Sequence, residues 1–91
     1  MRKVWNEKAW DEYVYWQSQD KKTLRKINKL ITEIERAKGK PIGHAEMLKG
    51  DLAGYSSNKI DDKNRLVYRV CGKGDAQYIE IIQCKTHYSQ S

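Results

Sequence analysis

The stretch DKKTLRKINKLITEIERA (Asp20–Ala37) decides the fold. Leu24, Ile27, Leu30, Ile31 and Ile34 recur at three, four and seven residues, the period of a helix that buries one face. Asp20 stands where an N-cap carboxylate belongs. The spacing predicts a helix over 21–37. Its other face carries Lys22, Arg25, Lys26 and Lys29, a basic stripe that reads either as a solvated face or as a phosphate-contacting one.

Upstream, Asn6 offers a second N-cap and Glu7 suits the first turn. Ala9, Trp10, Tyr13, Trp16 and Gln17 then fall at helical spacing, which predicts a helix over 7–18 with its aromatics in the core. Two helices joined by two or three residues form a helical hairpin. Arg2 to Trp5 reads as a short edge strand. Downstream, residues 37–54 hold four of the six glycines and the only proline, so a loop with at most one short extended piece is expected. Tyr55 to Ile60, Arg65 to Cys71 and Gln77 to Lys85 read as strands, with DDKN and GKGD between them as turns. Short connections make neighbours antiparallel. The expected fold class is α+β: two N-terminal helices packed on a small antiparallel β-sheet, in one domain.

Composition sets the bounds. Ninety-one residues, 38% of them apolar, suffice for one core and not for two. Lys and Arg number 18 against 12 Asp and Glu, a formal charge of +6. Such an excess suits nucleic acid or an acidic protein, and equally a lysine-rich solvated surface. No segment is long and apolar enough to span a bilayer, and no basic segment followed by an apolar run opens the chain. A cytoplasmic location is therefore expected. Cys71 and Cys84 lack a CxxC spacing or a histidine at metal spacing, and read as small buried thiols of a reducing compartment. No phosphate-binding glycine loop, dinucleotide fingerprint or HExxH motif occurs, so no metal and no cofactor is expected.

Four ionisable groups stand apart from ordinary duties: Glu46, Lys49, Arg65 and His87, with Tyr88 beside the last. Singly, each reads as a solvated charge. Together they meet the needs of RNA cleavage by the RNA's own 2′-hydroxyl. That reaction takes a base for the 2′-OH, an acid for the leaving 5′-oxygen, and cations at the phosphoryl oxygens. A simple hairpin through GKGD pairs Arg65 with Ile82 or Gln83. His87 would then lie ~13–17 Å further along at the strand rise, beyond the reach of an arginine side chain.

The segments DKKTLRKINKLITEIER, GHAEMLKGDLAG, NRLVYRV and the closing HY, together with the opening VWNEKAWDEYVYWQSQDKK, resemble the YoeB/Txe family of bacterial toxins within the RelE/ParE superfamily. The resemblance runs over about residues 2–88. It implies a RelE/ParE-like toxin fold and a ribosome-dependent endoribonuclease that cuts mRNA in the A site of the 70S ribosome. It also implies a cognate acidic antitoxin, YefM/Axe-like, and toxins of this family can form homodimers. Carried over by position, Glu46 resembles the general base, and Lys49 and Arg65 the cations on the scissile phosphate. His87 resembles the general acid, and Tyr88 a residue that shapes the nucleotide site. His44 reads as a surface or phosphate-contacting residue, or as a second acid or base. Lys22, Arg25, Lys26 and Lys59 are expected on RNA.

The chain departs from the family in two places. Gly43-His44-Ala45-Glu46 lacks the prolines that commonly flank the glutamate. Ser56-Ser57-Asn58-Lys59 replaces a usual Trp and Arg pair, leaving Lys59 as one positive charge without arginine's fork. Two other readings compete. In one, the fold is a non-catalytic module that pairs with its antitoxin or RNA. In the other it is a gyrase-directed toxin, a branch that generally lacks the Glu-Lys pair and the terminal acid.

Overall fold

The computed structural model describes residues 1–86. The elements run β1 (Arg2–Trp5), α1 (Glu7–Gln19), α2 (Lys21–Ala37), β2 (Glu46–Met47), β3 (Ser56–Lys59), β4 (Arg65–Cys71) and β5 (Tyr78–Gln83), with 3-10 turns at Gly50–Leu52 and Gly74–Ala76. Both expected caps form. The Asn6 side chain accepts from Ala9 N at 2.7 Å, and Asp20 accepts from the amides of Lys22 and Thr23 and from the Thr23 hydroxyl. Each satisfies helix-end amides that lack an intrahelical partner.

The sheet has the order β1-β5-β4-β3-β2. The expected meander β3-β4-β5 is antiparallel, and β2 adds to it antiparallel as the short extended piece within 37–54. The sheet as a whole is mixed, because β1 runs parallel to β5, Arg2 opposite Tyr78 and Trp5 opposite Ile81. No hairpin joins these two strands; the helical layer and most of the sheet lie between them in sequence, and a long crossover permits the parallel orientation.

The helices cover one face. Ile27, Leu30, Ile31 and Ile34 of α2, with Ala9 and Trp16 of α1, pack on Leu66, Tyr68, Ile79, Ile81, Ile60 and Cys84. Burying an aliphatic side chain in this way contributes about 1.5–3 kcal/mol. The N-terminal aromatics divide, contrary to the expectation of a common core. Trp16 is buried and Trp5 and Tyr13 partly so, whereas Trp10 and Tyr15 are 47% and 42% exposed. Trp10 packs edge-on against Trp5, and Tyr13 donates to Asn28 Oδ1 at 2.7 Å, docking α1 on α2. Cys84 is buried as expected, but Cys71 is only half-buried.

The β4–β5 register also departs from a simple GKGD hairpin. Residues 74–76 wind into a 3-10 turn, so Cys71 pairs with Tyr78. Gly72 holds φ +80°, and a Cβ there would come within 2.6 Å of the Ala76 carbonyl, so only glycine fits. A bulge then inserts Ile82, since Tyr68 faces Ile81 while Val67 faces Gln83. Both shifts move the end of β5 back toward Arg65. The Arg65 N–H donates to the Thr86 carbonyl at 3.1 Å, not to a group on Ile82 or Gln83. Thr86 thus lies beside Arg65, whereas the gap expected from the simple hairpin was to His87, which lies outside the described residues.

Candidate active site

Strand alternation sends Leu66 and Tyr68 toward the helices, and hence Arg65 and Val67 to the opposite, helix-free face. Val67 pairs with Ser57, which pairs with Glu46, so these side chains share that face. The edge strand β2 thereby carries Glu46 to the mouth of Arg65. The Glu46 carboxylate and an Arg65 Nη lie 3.5 Å apart, with the guanidinium side chain 14% exposed and the carboxylate side chain 52%. The cation is thus sheltered and the carboxylate solvent-exposed.

Arg65 is aimed by a residue that sequence reasoning passed over. Its Nε donates to Ser57 Oγ at 2.6 Å, and its Nη2 to the Ser57 carbonyl at 3.3 Å. Ser57 is fully buried. Held at two nitrogens, the guanidinium has a fixed plane, as recognition of a phosphate or carboxylate requires. Asn58, next in the chain, points the other way. It accepts from the Tyr68 hydroxyl at 2.7 Å and donates to the Ile42 carbonyl at 3.0 Å, anchoring the loop that leads to Glu46. Ser57 and Asn58 are therefore both buried, one bonded to Arg65 and the other to Tyr68 and the Ile42 carbonyl. Their signal in the sequence is faint: two polar residues in a strand, one on each face.

The remaining candidates are distributed. Lys49 follows Glu46 by three residues on the same connection, exposed, where the 3-10 turn of residues 50–52 begins. His44 is exposed in the turn closed by Ala45 N to the Ile42 carbonyl at 3.1 Å. Lys59 stands directly opposite Arg65 on the neighbouring strand and pairs with Asp62 at 3.0 Å. Lys22 and Lys26 border a surface pocket of about 300 Å³ with Asp20, Thr23, Ile60 and Asp61. They and Arg25 belong to the helical layer, across the sheet from Glu46 and Arg65. His87 and Tyr88 lie outside the described residues. Among the described residues, no group of three His, Cys, Asp or Glu is placed to hold a metal ion.

Farther along the same face a second ionic cluster forms. Arg69 pairs with Glu80 and lies 4.8 Å over the Tyr55 ring, while the Tyr55 hydroxyl donates to Glu80 at 3.2 Å. Burial, and then the Glu80 carboxylate, push the Tyr55 phenol up; the hydrogen bond to Glu80 raises Arg69. The Arg69 charge is thereby balanced by Glu80, as that of the more sheltered Arg65 is by Glu46.

The chain is similar in sequence and fold to known proteins. A family model described as the YoeB-like toxin of bacterial type II toxin–antitoxin systems matches residues 5–88. The toxin YoeB of Streptomyces coelicolor is 43% identical over 97% of this chain and 100% of its own length. Among solved structures, the YoeB/ParE toxin from Agrobacterium tumefaciens superposes with a TM-score of 0.87 at 45% identity, covering 97% of this chain and all of that one. Two structures from Staphylococcus aureus are also similar, each covering 97% of this chain and 98% of that one. One is a YoeB dimer (38% identity, TM-score 0.79), the other a heterotetrameric YoeB–YefM toxin–antitoxin complex (39%, 0.81).

Proposed function

The chain belongs to the YoeB-like toxin family of bacterial type II toxin–antitoxin systems, and from that premise we propose that it is a ribosome-dependent endoribonuclease that cuts mRNA in the A site without a metal ion. The observation that carries this reading is the Arg65 guanidinium, fixed by Ser57 beside the open Glu46 carboxylate. Glu46 takes the proton from a 2′-hydroxyl, and the 2′-oxygen attacks the adjacent phosphorus. Arg65, with Lys49, stabilises the charge that builds on the phosphoryl oxygens. The P–O5′ bond breaks, His87 gives its proton to the leaving 5′-oxygen, and Tyr88 shapes the nucleotide site. The products are a 2′,3′-cyclic phosphate and a 5′-hydroxyl, so atoms and protons balance. His44, Lys59 and the Lys22, Arg25 and Lys26 stripe supply further contacts to ribosomal RNA or mRNA, in keeping with the charge of +6.

The same charge suits an acidic antitoxin, and the Staphylococcus aureus relative is found with YefM in one structure and as a dimer in another. A YefM-like antitoxin and self-association are accordingly proposed for this chain. Toeprinting on a translated mRNA with purified ribosomes tests the reading. Cuts at A-site codons, lost or greatly slowed in Glu46→Gln and in His87→Gln, are expected. Cutting that survives both substitutions would refute the acid–base roles. Ribosome binding without any cutting would leave a non-catalytic module.

A further inference from the structure

The helix-free face continues past Arg65 along β4. Val67 and Arg69 follow by alternation, so Arg69 stands four residues, or roughly 13 Å, from Arg65 at the strand rise. There Tyr55, Arg69 and Glu80 meet. The Arg69 guanidinium carbon lies 4.8 Å from the centre of the Tyr55 ring. The Tyr55 hydroxyl and Arg69 Nε both donate to Glu80 Oε1. Glu80 Oε2 has no hydrogen-bond partner among the described residues. Two donors thus hold the carboxylate in place, and its second oxygen stays available as an acceptor. The Arg69 and Glu80 side chains are 43% and 26% exposed, and an ion pair so exposed adds little to stability.

The charges of this cluster cancel, so it offers a phosphate no net attraction. It offers instead a cation–ring layer with one carboxylate acceptor beside it. Single-stranded RNA is recognised by such features, because bases stack on tyrosine rings and guanidinium planes and hydrogen-bond through their edges. We propose that Tyr55, Arg69 and Glu80 form a base-binding subsite for single-stranded RNA that favours bases with an exocyclic amine over uracil. Adenine, cytosine and guanine each have an amino group to donate to Glu80 Oε2. Uracil has none, and its edge sets carbonyl oxygens against the carboxylate. At the spacing of a helical strand, roughly 13 Å spans about four nucleotides, which puts the base read within about four of the phosphate at Arg65. The placement relative to a cut rests on the reading of the chain as an endoribonuclease; the base preference does not.

Two measurements test this. Fluorescence anisotropy reads the binding of RNA hexanucleotides, all A, all C or all U, with 2′-methoxy groups that prevent cleavage. The native protein should bind the A and C oligomers about 10-fold more tightly than U. In Glu80→Gln, whose amide can also donate to a uracil carbonyl, the ratio should shrink to within about twofold. Tyr55→Leu should weaken binding of all three by about 10-fold, as the loss of a stacking ring does; if Glu80→Gln does not fold, this variant carries the comparison. The second measurement is single-turnover cleavage on programmed ribosomes, with each position of the empty A-site codon and of the codon after it set in turn to A, C, G or U. One position should disfavour U about 10-fold with the native protein and at most about twofold with Glu80→Gln. Equal binding of all oligomers by the native protein, or a preference that Glu80→Gln retains, overturns the subsite. A preference in binding without any cutting overturns the endoribonuclease reading instead, and cutting without the preference overturns the subsite alone.

Discussion

Arg65 and Ser57 are joined across neighbouring strands by two hydrogen bonds, from Nε to the hydroxyl at 2.6 Å and from Nη2 to the carbonyl at 3.3 Å. The serine is fully buried and the arginine nearly so on its side chain, and the bond has a charged donor, the kind worth about 1.5–3 kcal/mol.

Ser57→Ala removes the hydroxyl acceptor and frees the guanidinium plane. Cleavage on the ribosome should fall roughly 10-fold with little change in half-saturating concentration. Arg65→Lys should lose far more, since an ammonium cannot bond Ser57 twice and still address a phosphate. Single-turnover kinetics on the two variants check this; Arg65→Lys at native rate would show that only the charge matters.

Tyr68 and Asn58 form a buried pair at 2.7 Å. Tyr68→Phe strands the Asn58 oxygen and should cost about 1–3 kcal/mol in urea unfolding. The slope of free energy against urea should stay unchanged, marking a native-state effect. Asn58→Ala should in addition release the Ile42 carbonyl and quicken amide exchange in residues 42–47, the approach to Glu46.

High pH weakens the fold. Burial pushes the Tyr68 phenol and the Cys84 thiol both up to about 12, from ordinary values of 10.0 and 9.0. Between each pair of values the folded chain keeps a proton that the unfolded chain has released. The stabilisation is complete below pH 9 and is lost as pH rises toward 12. Urea midpoints should fall steadily from pH 9 to 11.5, less steeply in Cys84→Ala. A thiol reagent at pH 8 should label the half-buried Cys71 in the native protein and reach Cys84 only on unfolding.

Acid acts on the turn that carries Asn64. Burial alone would raise the Asp61 carboxyl, but hydrogen bonds from the Asn64 side chain and from the Lys63 and Asn64 amides outweigh it and hold it below 3.8. The stabilisation is present above that unfolded value and is lost as pH falls through the lower folded one. Asp61→Asn should flatten the acid limb of stability between pH 4 and 2, measured by urea unfolding at fixed ionic strength. An unchanged limb would assign acid sensitivity to Glu35, held down by Lys3 and the N-terminal amine, or to Asp20, held down by hydrogen bonds from Thr23 and Lys22.

Local pattern was enough for much of this protein. The Leu24–Ile34 spacing marked α2, Asn6 and Asp20 marked both helix starts, and alternation with turn residues marked β3, β4 and β5. Arg65 stood out at the head of an apolar strand and Glu46 in the glycine-rich loop, each as one of four ionisable groups, and the fold brings these two to 3.5 Å. These features depend on which residues are buried within a few positions of one another, which periodicity encodes directly. Tertiary structure alone placed β1 parallel beside β5, turned Ser57 toward Arg65 and Asn58 toward Tyr68, and set Thr86 opposite Arg65. Each depends on register between distant segments. One inserted residue, Ile82, and one widened turn at 74–76 shift that register without leaving a periodic trace, because a strand keeps the same composition whichever partner it slides against.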